Sequence, residues 1–159
     1  PDEIPVRAGF FTDFEDRLVT GVLTEDGIQY SSEVTTGAAD TDVTVLSKLI
    51  NPVLEGRILL VEFGLTADFK AVSSGTADLI WKWQARNKDS TWVDLHSAVN
   101  ETDIGTTYKS RTRSGYFTPE VNFQDVPFEV RLILQCNELN EGRARVKNSS
   151  YVRVIYRVV

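Results

Sequence analysis

The sequence predicts an all-β chain: an antiparallel two-sheet β-sandwich, jelly-roll-like in first preference and immunoglobulin-like in second. Three observations lead there. In Ala77-Asp-Leu-Ile-Trp-Lys-Trp-Gln-Ala-Arg86, residues Leu79, Trp81, Trp83 and Ala85 alternate with Asp78, Lys82, Gln84 and Arg86. A two-residue period sends one set into a dry core and the other towards water, as in a half-buried strand. The same rhythm recurs in about eight segments spaced roughly 8–15 residues apart. No segment carries a convincing helical period, and the connections are too short for parallel crossovers, so the pairing is antiparallel. At 159 residues the chain suits one domain, with a core that needs no staples.

Residues 1–30 break the rhythm. Phe10-Phe-Thr-Asp-Phe-Glu-Asp-Arg-Leu-Val mixes aromatics with acids and reads as an extended N-terminal arm. Its apolar anchors are Phe10, Phe11, Phe14, Leu18, Val22 and Leu23. A single sandwich domain follows over residues 31–159. Gly37-Ala-Ala-Asp-Thr-Asp42 is a loop by composition, and residues 42–50 form a strand closed by Asn51-Pro52. Residues 57–66 place Leu59, Val61, Phe63 and Leu65 on one face, and residues 69–72 form a short separate strand. The tryptophan strand and residues 91–95 make a hairpin around Asn87-Lys-Asp-Ser90. Residues 96–106 are irregular, and residues 107–118 form a long strand with a candidate bend at Gly115. Phe128, Val130, Leu132, Leu134 and Cys136 share a dry face. Residues 143–146 form a short strand, and residues 151–159 close the chain in a sheet.

The net charge of −6 is unevenly spread: residues 1–45 carry −8 and the remainder +2. Two readings stand, solvation of a lead segment or an acidic arm that docks on a basic surface. Lys109-Ser-Arg-Thr-Arg113, a basic stripe along a strand, could receive such an arm. Nucleic acid is not an expected partner, because phosphate binding needs a concentrated positive field. No stretch has the length of apolar residues a membrane helix needs, so no membrane contact is expected. The opening Pro1-Asp-Glu-Ile-Pro lacks signal-peptide character, and with no methionine in the chain either an initiator Met preceded Pro1 or the chain is a processed or recombinant product.

Chemistry-bearing residues are scarce. Cys136 is the single cysteine and reads as a small buried hydrophobe; His96 is the single histidine and reads as a loop or surface residue. No Gly-x-Ser-x-Gly turn is present to activate a serine. One histidine and one cysteine exclude the common zinc sites within a chain. The 23 acids make carboxylate pairs unavoidable, but none stands in a distinguishing context for glycoside hydrolysis. Asp40-Thr-Asp42 and Asn137-Glu-Leu-Asn-Glu141 are oxygen-rich, yet lack the ligand spacing of a calcium-binding EF-hand loop. The expectation is therefore no catalytic residue, no metal and no cofactor. Asn100-Glu-Thr and Asn148-Ser-Ser match the N-glycosylation acceptor pattern. Trp81 and Trp83 belong to a core by alternation. Trp92 alternates with Asp94 on the wet side, and with Tyr108 and Tyr116 it is a candidate for stacking on a sugar.

Ile80-Trp-Lys-Trp-Gln-Ala-Arg-Asn-Lys-Asp-Ser-Thr-Trp-Val-Asp-Leu95 and Asn148-Ser-Ser-Tyr-Val-Arg-Val-Ile-Tyr-Arg-Val158 resemble β-sandwich structural proteins of viruses that infect bacteria or archaea. Capsid decoration proteins and tail or fibre modules are the kinds in question. The resemblance covers about the last half of the chain and carries no motif to transfer by residue. It implies a small sandwich, often a trimer, with an arm that reaches a neighbour. The expected function is then non-enzymatic: a virion surface protein that decorates or stabilises a capsid. It would work by self-association, a trimer being favoured, and by contact with a shell or neighbouring structural protein. Phe10, Phe11, Phe14 and Leu18 are the candidate assembly anchors. The alternatives are a carbohydrate-binding module, for which a glycan is the partner, and a secreted filament subunit that donates its N-terminal strand. Location on a virion surface or outside cells follows from each.

Overall fold

The computed structural model describes residues 16–51, 56–73, 77–87, 91–118 and 128–158. Among them are eleven strands: β1 (Asp16–Val22), β2 (Val34–Thr35), β3 (Val43–Ile50), β4 (Gly56–Ala71), β5 (Ala77–Asn87), β6 (Val93–Asp94), β7 (Val99–Ile104), β8 (Lys109–Phe117), β9 (Phe128–Cys136), β10 (Gly142–Val146) and β11 (Tyr151–Val158). The chain folds back on itself like a doubled ribbon. β5 pairs with β6 and β7, β4 with β8, β3 with β9, β2 with β10, and β1 with β11, all antiparallel. The β4–β8, β2–β10 and β1–β11 pairings fall in one sheet, and the β5 and β3–β9 pairings in the other. The first runs β1-β11-β4-β10-β2 with β8 on the far edge of β4; the second runs β3-β9-β5-β6 with β7 also on β5. Two antiparallel sheets packed face to face make a β-sandwich, as the alternation and turn spacing predict.

Alternation sets the core. Leu79, Trp81, Trp83 and Ala85 of β5 face Phe128, Val130, Leu132, Leu134 and Cys136 of β9 along one inner surface. Phe63, Leu65, Ala67 and Phe69 of β4 and Val152, Val154 and Tyr156 of β11 line the other. Phe69 and Trp81 join the two, stacked with centroids 4.7 Å apart and planes at 22°.

Several elements differ from the sequence expectation, each for a physical reason. Residues 56–71 form one strand rather than two, because Ala67 and Phe69 continue the inner face through a position where only Asp68 looks out of place. The inner face of β4 also starts at Ile58, not Leu59. The β4–β11 register slips there, pairing Tyr156 with Ile58 and Ile155 with Leu60, and leaves Leu59 as the extra residue. Residues 99–104, expected to be irregular, form β7 on the edge of β5. Gly115 marks no bend. β8 keeps continuous register with β4, and the glycine leaves room for the Phe63 ring, which a Cβ would meet at 3.2 Å. Asp16–Val22, placed by the sequence in the arm, is an edge strand of the first sheet. Within it Gly21 allows close approach to the second sheet, since a Cβ there would collide with Ile50.

Three strand positions are split in two: β1/β2, β6/β7 and β10/β11. Where β10 breaks from β11, the central strand β4 still presents its backbone at Thr66. Ser150, fully buried, supplies the missing partner. Its Oγ accepts from the Thr66 N–H at 2.8 Å and donates to the Thr66 carbonyl at 2.9 Å. The Lys147 N–H donates to the same carbonyl at 2.9 Å. Replacing Ser150 by Ala strands the Thr66 N–H, and should lower stability by about 1–3 kcal/mol in urea denaturation, with the m-value unchanged.

Candidate interaction surface

The outer face of the first sheet is built by the same register that builds the core. Across β1, β11, β4 and β8 the outward residues fall in rows: Leu18–Ile155–Leu60, then Thr20–Arg153–Glu62–Tyr116, then Val22–Tyr151–Gly64–Ser114. Leu18 is 61% exposed, Val22 46% and Tyr116 77%. Leu18 and Tyr116 lie three strand spacings and one row apart, about 16 Å. One outer face thus holds one candidate anchor and one candidate stacking aromatic. Tyr151 lies flat across Gly64, where a Cβ would meet its ring at 2.6 Å, and the Arg153 guanidinium sits 4.4 Å from the ring centroid. The Arg157–Asp16 pair, 3.0 Å, borders these rows, and the Arg153–Glu62 pair, also 3.0 Å, lies within them, between Leu18 and Val22.

The opposite end of this face is cationic and aromatic. Arg145 lies 3.5 Å from the ring centroid of Tyr30 and 4.0 Å from that of Tyr108, and its Nε reaches Asp68 at 3.2 Å. Asp68, the residue that interrupts the pattern of β4, also accepts from Ser110. Lys70 sits over the other candidate aromatic, Tyr108, at 4.6 Å. The Tyr108 hydroxyl donates to Glu33. That bond holds the Glu33 carboxyl below its ordinary pKa, while burial and then the Glu33 carboxylate push the phenol up. These groups satisfy one another, so Tyr108 is a member of a network.

Trp92 lies by the second sheet. Its ring rests against the guanidinium groups of Arg86 and Arg131, 4.3 and 4.1 Å from the centroid. It caps a polar lattice on that outer face. Arg131 donates to Gln84 at 2.8 Å, Gln84 to Asp94 at 2.8 Å, and Arg86 to Glu129 at 2.8 Å.

The basic stripe of β8 is largely wet, with Lys109 and Arg113 exposed. Lys109, Arg111 and Arg113 share the parity of Phe117, which packs on the core, and so lie on the side of the second sheet. Arg111 grips Glu101 of β7 through Nε at 2.9 Å and Nη2 at 3.0 Å. Glu101 also accepts the Trp81 indole N–H at 3.2 Å, and Arg113 lies 5.5 Å from the Trp81 ring. Burial alone would raise the Glu101 carboxyl; the bonds from Arg111 and Trp81 outweigh it and hold the group below its ordinary pKa.

Phe10, Phe11 and Phe14 lie outside the described residues. Leu23 packs in the core. Cys136 is buried, and burial pushes its thiol pKa up. His96 is half-buried against Trp81. The two oxygen-rich loops come together, Asp40 N–H donating to the Cys136 carbonyl at 2.7 Å and Asn140 N–H to Gly37 at 2.9 Å. Asp40 and Asn140 both take positive φ. In the second loop Glu141 holds Ser73, and Asn137 Oδ1 accepts the Asp78 N–H. Among the described residues no group of three His, Cys, Asp or Glu side chains could hold a metal ion. Asn100 is exposed on β7; Asn148 is exposed in the β10–β11 turn, and the Ser150 that completes its acceptor pattern is the buried plug.

Fold and surface together define a two-sheet β-sandwich with an exposed apolar platform on one sheet. The chain matches no protein-family model and no curated protein in sequence. Among solved structures it is similar to T=1 particles derived from infectious bursal disease virus, with 12% identity over 91% of this chain and 36% of that chain, TM-score 0.51. A VP2 subviral particle of the same virus gives 11% identity over 92% and 38%, TM-score 0.50. The chain therefore spans little more than a third of these viral proteins. A CBM22-1 xylan-binding domain of Paenibacillus barcinonensis Xyn10C gives 13% identity over 89% and 85%, TM-score 0.47. The viral likeness is one of fold.

The two kinds of ion pair should separate by mutation. Glu101→Ala leaves a buried indole N–H and a guanidinium without their acceptor, and should cost about 2–3 kcal/mol. Glu62→Ala removes a pair exposed on both sides, and should leave the urea midpoint nearly unmoved.

Proposed function

We propose that this chain is a non-enzymatic structural subunit that works by assembly on a virus particle, as a surface protein that decorates or stabilises the capsid. The observation that carries the reading is the platform of Leu18, Val22 and Tyr116 with Leu60 and Ile155 among them. Single exposed apolar residues need no explanation, whereas several on one flat face, here around a single exposed ion pair, point to a contact surface. The outer face of the first sheet offers an area on the order of 1,000 Å², judged from strand spacing and the length of β4. A standard interface takes about 800 Å² from each partner, so this face suffices for one. Repetition over a particle strengthens modest contacts further. The fold likeness to capsid structures of infectious bursal disease virus supports the same reading.

The segment before β1 would add a second contact. β1 begins at Asp16, at the outer edge of the first sheet. Fifteen residues span at most about 50 Å, enough to reach a neighbouring subunit. Phe10, Phe11 and Phe14 would anchor it there, and Asp13 and Glu15 would steer the docking. Carbohydrate binding is the second reading, favoured by the exposed ring of Tyr116.

Size-exclusion chromatography with light scattering tests the proposal. The unaltered protein should run as a trimer. Leu18→Glu combined with Tyr116→Glu should give monomers with an unchanged urea midpoint. Removal of residues 1–15, which stops short of β1, should keep the fold and weaken attachment to a neighbour. A monomer at tens of micromolar that binds a glycan array through Tyr116 would replace assembly with sugar recognition. Open-ended polymers would point instead to strand donation between subunits.

A further inference from the structure

The break between β6 and β7 is closed by a side chain, like the break between β10 and β11. β5 pairs with β6 at Gln84 and Ala85, and with β7 from Ala77 to Trp81. Trp83 falls in the gap. Its carbonyl accepts the Leu95 N–H at 2.9 Å, and its N–H donates to Nε2 of His96 at 3.0 Å. Nδ1 of the same ring lies 2.8 Å from the Ser97 carbonyl, which can only accept. Nδ1 therefore carries the proton and Nε2 the lone pair, which is the neutral imidazole. The ring also packs edge-on against Trp81, centroids 5.4 Å apart at 66°. A second proton, on Nε2, would set two N–H donors against each other across a hydrogen-bond distance.

We propose that His96 is a proton-operated latch. Neutral, it holds the β6–β7 connection on β5; protonated, it releases that edge while the rest of the sandwich stays closed. The inference stands apart from the assembly reading.

The surroundings make the neutral form the preferred one in the closed state. Burial of the imidazole disfavours charge first, the Ser97 bond favours it, and Arg113 from β8 repels it. Asp94 on β6 attracts a proton but is committed to Gln84 and Lys82. Behind Trp81 the Glu101 carboxylate of β7 is neutralised by Arg111. The closed-state pKa therefore lies below the ordinary histidine value of 6.5. The opened edge binds the proton more readily than the closed one. The latch is fully engaged above about pH 6.5 and is lost as pH falls from there towards the closed-state value. The opening equilibrium should rise up to about tenfold per pH unit across that window and level off beneath it.

Because His96 is the only histidine in the chain, its titration can be followed without assignment of others. The imidazole of the intact protein should titrate below 6.5 by NMR, as the Nδ1–H tautomer. Amide exchange, corrected for intrinsic rates, should show Trp83 and Leu95 losing protection below pH 6.5 while Val61, Leu65 and Leu132 keep theirs. His96→Gln offers an acceptor that does not titrate and should make Trp83 protection independent of pH. His96→Phe should lower it already at neutral pH. The latch is refuted if the imidazole titrates at or above 6.5, if Trp83 protection ignores pH, or if all these amides lose protection together.

Discussion

The two sheets close on the indole of Trp81. One face of the ring stacks on Phe69 from the opposite sheet, so the contact spans the interior between the layers. Depth makes the indole N–H a liability, because a buried donor without an acceptor costs more than a made bond gains. Glu101 on the neighbouring strand accepts it. A carboxylate at that depth then needs a cation, which Arg111 brings from β8 in a two-pronged grip. Each requirement creates the next, and the series ends at the surface where Arg111 meets solvent. The open side of the sandwich is sewn shut by this series rather than by more apolar bulk. Trp83, two residues on, shows the alternative: among the described residues its Nε1 is buried and has no hydrogen-bond partner.

The long central strands impose a second demand. β4 and β5 run unbroken, while their neighbours β10/β11 and β6/β7 are each interrupted. A central strand cannot leave its backbone groups unpaired in the gap. Side chains fill it both times, Ser150 opposite Thr66 and His96 opposite Trp83. The solutions are not equivalent. A hydroxyl donates and accepts at any ordinary pH, whereas an imidazole accepts only while neutral. The same structural problem thus produced one inert joint and one that senses protons.

Alternation made the inner faces of β5, β9 and β11 legible, because a period of two leaves no freedom once one face is dry. It failed where the register slips at Leu59, since one extra residue reverses the parity behind it. The wet stripe of Lys109 and Arg113 was readable from their charge. The grip of Arg111 was not, because the Glu101 that holds it lies on a strand whose residues looked irregular. The plugs were invisible because a serine in an apparent acceptor pattern and a lone histidine after a strand both have commoner explanations. Of the candidate surface, the sequence offered Leu18 and Tyr116 as unrelated residues of different roles. Only the register of four strands places them on one face.

The two outer faces differ in a way that bears on which of them meets a partner. On the second sheet, Arg86, Glu129, Ser47, Gln84, Arg131, Asp94 and Lys82 bind one another, and Trp92 lies over two of the guanidinium groups. Docking there would strip water from charges already satisfied and offer little in return. The first sheet keeps its cationic network to one end and only the exposed Arg153–Glu62 and Arg157–Asp16 pairs at the other, where Leu18, Val22 and Tyr116 are left to water. Removing such residues from water is favourable without any new polar bond. A sandwich whose only function was to stay folded would gain nothing by leaving them out. The asymmetry between the faces is therefore a stronger argument for contact through the first sheet than the exposure of any one residue.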